Sequence, residues 1–113
     1  MMINDVILEA NNEHEIFFLL TAYVESLRYC DKLGTLPQGL TRLPLSGAGD
    51  VQSKFIGIRA VLNDEVEDSG TRTYAILREA ADVFGAAVDR LDRLAEAGRM
   101  PYSASLMPTP QGA

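Results

Sequence analysis

The chain has 113 residues, 47% of them hydrophobic, which suits one domain with a core of its own and leaves too little for two. Sixteen acidic against ten basic residues set the net charge at -6, and no run of lysines and arginines offsets it, so a nucleic-acid partner is not expected. Cys30 is the single cysteine, which excludes a disulfide framework. The densest apolar run, 16–24, is too short for a membrane span, and residues 1–5 lack the basic start of a secretory leader. The expected location is therefore the cytoplasm.

Residues 3–10 carry Ile3, Val6, Ile7 and Ala10 at helical spacing. Continued in phase, that stripe would fall opposite Ile16 and Leu20. A short helix is expected, then a break near Asn11 and Asn12. A short strand over 5–9 is the alternative, but it lacks an evident partner.

The first long helix is expected from about Asn12 to Leu33. Ile16, Leu20, Tyr23, Leu27 and Cys30 recur at spacings of three and four. Asn12 and Glu15 have the spacing of a capping box, and Gly34 then Pro37 supply a stop. Cys30 continues the apolar stripe and reads as a small core hydrophobe. His14 falls with Thr21, Glu25 and Lys32 on the polar side and reads as solvated.

Residues 34–47 hold three glycines and two prolines, which argue against regular structure, yet also Leu36, Leu40, Leu43 and Leu45. A solvated linker would not need four leucines. The segment is expected to be an ordered crossover strap over the helices. At roughly 3.3 Å per residue it can span a whole helix, so its length leaves the direction of the first long helix open.

A second helix is expected from Gly49 or Asp50, with Asp50 as N-cap, to Glu67. Its stripe is Val51, Phe55, Ile58, Leu62 and Val66. After a break at 68–70 comes a third, from about Thr71 to Ala97, capped by Ser69 or Thr71 and stopped by Gly98 and Pro101. Tyr74, Leu77, Ala81, Phe84, Val88, Leu91 and Ala95 form one stripe. Ile76, Ala80, Val83, Ala87 and Leu94 form another beside it. The short link makes the second and third helices antiparallel neighbours. The fold class is thus all-α, an antiparallel bundle of three long helices with a Leu/Pro/Gly strap. Residues 1–98 form the domain and 99–113 an irregular, proline-containing tail.

Chemistry is sparse. One histidine and one cysteine cannot build a transition-metal centre, and no phosphate loop or nucleophile motif is present. No cofactor or metal is expected. One carboxylate pattern stands out: Asp64 and Glu67 are three apart, and so are Glu79 and Asp82. Two such pairs on antiparallel helices are a way to hold Mg²⁺ against phosphates. The segment from Glu79 to Phe84 resembles the Glu-x-x-Asp element of the all-α nucleoside triphosphate pyrophosphatases. The resemblance implies a Mg²⁺-dependent pyrophosphohydrolase with Asp64, Glu67, Glu79 and Asp82 as the catalytic carboxylates. It covers about 20 residues. It departs where Asp64 replaces the expected Glu, where the gap between the elements is short and Ser69-Gly70 breaks the first helix right after Glu67, and where Glu79 and Asp82 fall on the polar side of their helix.

The leading expectation is a non-catalytic interaction protein, an adaptor, chaperone-like or regulatory module. In the first long helix, apolar residues cover more of the circumference than two neighbours can bury. Homodimerisation through Phe17, Phe18, Val24 and Tyr29 is the expected remedy.

Overall fold

The computed structural model describes residues 2–32, 34–42, 45–64 and 71–98. All regular structure among them is helical: α1 (Ile3–Leu8), α2 (Glu13–Cys30), α3 (Gln38–Thr41), α4 (Ala48–Asp64) and α5 (Thr71–Glu96). None of these helices is long and apolar enough to cross a membrane.

α5 is the hub. α1, α2 and α4 each pack against it, and α3 bridges α2 and α4. Both of its apolar stripes are used: Leu77, Ala81, Phe84 and Leu91 are buried, and so are Ala80, Val83, Ala87 and Leu94. The alanines matter because helix separation follows the size of the side chains at the contact. Gly85 serves the same end, since a Cβ there would stand 3.3 Å from Cε1 of Phe55.

The contacts settle the directions. The start of α4 (Ala48, Gly49, Gln52) shares a recess with Val88, Leu91 and Asp92 near the end of α5, and Phe55 meets Gly85, so α4 and α5 are antiparallel. At the other end of α5, Leu27 and Cys30 of α2 share a cleft with Thr73 and Ile76. Arg90 Nε donates a 2.8 Å bond to the Ala10 carbonyl just before α2. α2 is therefore also antiparallel to α5, and α2 and α4 run the same way.

That arrangement obliges the strap to travel back from the end of α2 to the start of α4. It fills the space between them, with Leu36 and Leu40 buried and Leu45 half-buried. Contrary to the expectation of no regular structure, the strap contains the short helix α3, started by Pro37, whose fixed φ suits a helix entry. Lys54 Nζ donates to the Leu40 carbonyl at 3.5 Å and to the Arg42 carbonyl at 2.5 Å, which pins the strap to α4. Partial burial lowers the Lys54 pKa against the opposing pull of Asp50.

α1 is the short helix expected before the Asn11–Asn12 break, with Ile7 buried in it and Ala10 buried just beyond its end. Several other boundaries need correction. Asn12 does cap α2, its Oδ1 accepting from Glu15 N–H at 3.0 Å, but Glu15 Oε1 returns to Asn11 N–H at 2.9 Å, one residue upstream. α2 stops at Cys30 rather than Leu33. Asp31 intercepts the chain: Oδ1 accepts from Thr35 N–H and Oγ1 at 3.0 and 3.2 Å, and Oδ2 from Leu36 N–H at 3.0 Å. Gly34, at φ 65°, sits inside that turn instead of capping the helix. Asp50 is not the N-cap of α4 but lies in its first turn, accepting from Ser46 N–H at 3.4 Å. Gly98 closes α5 as expected, in the left-handed conformation at φ 71°. Residues 65–70, with the expected end of the second helix and the Ser69 cap, lie outside the described residues, as do Leu43 and the tail 99–113.

Candidate functional site

Of the four carboxylates of the enzymatic reading, the side chains of Glu79 and Asp82 are described. Glu79 and Asp82 are both exposed on α5, on the side that faces Tyr23 of α2. Asp64 ends α4, with its side chain outside the description, and Glu67 is outside the described residues. Among the described residues, no three His, Cys, Asp or Glu side chains gather closely enough to hold a metal ion.

Glu79 and Asp82 instead act on a phenol. The Tyr23 hydroxyl is buried, without a hydrogen-bond partner among the described residues. Burial first, then the negative charges of Glu79 and Asp82, push its pKa well above the ordinary tyrosine value. The group is thereby held neutral beside a locally acidic strip, which makes it an unpromising base or nucleophile. His14 is exposed, as its position on the wheel predicted. Cys30 is exposed too, against the expectation of a core position: α2 turns its buried row through Ile16, Leu20 and Val24, and the Tyr23, Leu27, Cys30 row rises progressively out of the core.

The more informative surface lies on the outer side of α2. Phe18 is 73% exposed and Tyr29 is 82% exposed. Eleven residues apart, they stand only about 20° apart around a helix of 3.6 residues per turn, so both rings project from one face. Ala22 and Glu25 lie between them and are exposed. Beside Phe18, a recess of about 470 Å³ opens at the junction of α1 and α2, lined by Val6, Asn12, His14, Glu15, Phe18 and Leu19. Val6, at the same junction, is also exposed.

Of the four residues expected at a dimer interface, Phe18 and Tyr29 are on this face, and Phe17 is half-buried against the core. Val24 is 0% exposed and belongs to the chain's own core, so it has no surface to offer a partner. The stripe read from the sequence, Ile16, Leu20, Tyr23, Leu27 and Cys30, leaves Val24 off the buried face. The actual seam follows the four-residue row through Leu20, which carries Val24 inward. What the sequence did not reveal was the role of Arg90, which binds a backbone carbonyl 80 residues away.

In comparisons with known proteins, no family model matches the chain, and no curated protein or solved structure matches it either.

Proposed function

We infer that this chain is a non-catalytic protein-interaction module, of the adaptor, chaperone-like or regulatory kind, that works as a homodimer in a reducing compartment such as the cytoplasm. In this reading the long helices α2, α4 and α5 form a bundle that a second copy completes. The observation that carries the reading is the pair Phe18 and Tyr29, which remain largely exposed on one face of α2 after every described element of the chain has packed. Leaving a large apolar side chain in water forgoes roughly 1.5–3 kcal/mol of burial, and aromatic side chains are the usual anchors of protein interfaces. The single exposed thiol, Cys30, fits a reducing environment better than an oxidising one.

Light scattering after size exclusion tests this directly. The expected mass is about twice the 12.3 kDa of one chain. Phe18→Glu should return a folded species of single-chain mass. A wild-type protein that stays monomeric at high micromolar concentration would remove the homodimer from the reading, and a Phe18→Glu variant that remains dimeric would move the interface off this face.

A further inference from the structure

A cleft of about 670 Å³ opens where the end of α2, the start of the strap and the first turns of α5 meet. Its volume falls within the range of about 300–1,000 Å³ usual for small-molecule sites. Leu27, Leu36 and Ile76 provide an apolar wall, with Tyr29 at one side. Such a wall beside an exposed helix end calls for an apolar body.

Among the described residues that line the cleft, cations outnumber acids, although acids outnumber cations in the chain. The negative end of α2 and the positive end of α5 both border it and offset each other, so side chains set the sign. Lys32 and Arg72 are cationic and exposed at the cleft. Among the described lining residues the one acid is Asp31. Its two oxygens already accept three hydrogen bonds from Thr35 and Leu36 of the strap. The Leu36 N–H foremost, with Thr35, holds its carboxyl below the ordinary aspartate range. Asp31 is therefore committed to the turn, and the two cations, Lys32 and Arg72, outnumber it in the described lining.

We propose that this cleft is a binding site for a small amphipathic anion, a carboxylate borne on an aliphatic body. The chain of the ligand lies against Leu27, Leu36 and Ile76. Its carboxylate is held at the rim by Lys32 and Arg72, whose cationic donors suit such an oxyanion. The residues that would hold the ligand all belong to one chain, while Tyr29 borders both the cleft and the proposed dimer face.

Decanoate is the probe, with decylammonium as a control of equal length and opposite charge. Calorimetric titration of the full chain should show saturable, one-to-one binding of decanoate and none of decylammonium. Lys32→Gln and Arg72→Gln change exposed residues and should leave the circular dichroism spectrum intact while weakening decanoate by about ten-fold each, as expected for loss of a hydrogen bond to a charged group. Cys30 lines the same cleft, so bound decanoate should slow its alkylation by iodoacetamide. The proposal is overturned if decanoate does not saturate, if decylammonium binds equally well, or if neither variant weakens binding. Unchanged Cys30 alkylation under saturating decanoate would equally overturn it, by placing the ligand elsewhere.

Discussion

α2 and α5 are both rich in apolar residues, yet they meet opposite fates. α5 carries two adjacent apolar stripes separated from a clean polar strip of Arg78, Glu79, Asp82, Asp89 and Arg93, and it buries both stripes against three other helices. α2 spreads its apolar residues more widely and buries only the row Ile16, Leu20 and Val24 fully, with Phe18 and Tyr29 left outside. The lesson is that total apolar content does not decide which helix becomes the hub. Small residues do: Ala80, Ala81, Gly85 and Ala87 let neighbours approach α5 closely enough to bury both of its stripes, whereas the bulkier flanks of α2 stay half-buried or exposed beside its one fully buried row.

The sharpest way to break this comparison is to damage the hub. Phe84 is fully buried on α5. Phe84→Ala should cost about 3–5 kcal/mol in urea unfolding, a large share of the stability of a domain this size. A loss below about 1 kcal/mol would mean that α5 is not the central element.

A smaller effect is expected where α2 begins. Asn12→Ala removes the side-chain acceptor for Glu15 N–H and should cost about 1 kcal/mol, visible as a lower thermal midpoint. No shift would show that the bond from Glu15 to Asn11 suffices to start the helix.

At the other end of α2, Asp31 tests the strap through pH. Its folded carboxyl titrates below the ordinary range, so its contribution is complete above the unfolded pKa of about 3.9 and is lost as pH falls through the lower folded value. Asp31→Asn should be less stable than the parent at pH 7, by less than Asn12→Ala. The two curves should converge in the acid limb of a thermal-midpoint profile. A constant gap across the whole profile would assign the loss to geometry rather than to charge.

The smallest effect on stability is expected on the outer face of α2. Phe18→Ala, studied at a concentration low enough to keep the chain monomeric, should change unfolding by no more than about 0.5 kcal/mol, because the ring is largely in water already. At high concentration the same variant should lose self-association. A large loss in the dilute monomer would show that Phe18 packs within its own chain. The carboxylates make the last contrast: titration with Mg²⁺ should give no saturable heat, and a micromolar site abolished by Asp82→Ala would revive the pyrophosphohydrolase reading.

Periodicity and capping chemistry were enough to read the all-helical class, the α1–α2 break, the Asn12 cap, the Gly98 stop and the antiparallel pairing of α4 with α5. Each is local, or is forced by a short connection. Other features belong to the tertiary structure. The 34–47 strap is long enough to allow either direction for α2, and only the cleft that Leu27 shares with Ile76 and the bond of Arg90 to Ala10 choose one. The same choice makes α2 and α4 run in parallel, draws Leu36 and Leu40 into the space between them, and brings the first turns of α5 beside the end of α2 to form the cleft. It also decides which of two apolar rows on α2 turns inward, and so why Val24 is core while Cys30 is surface. A helical wheel ranks faces by composition, but the face that is buried is the one a neighbour can reach.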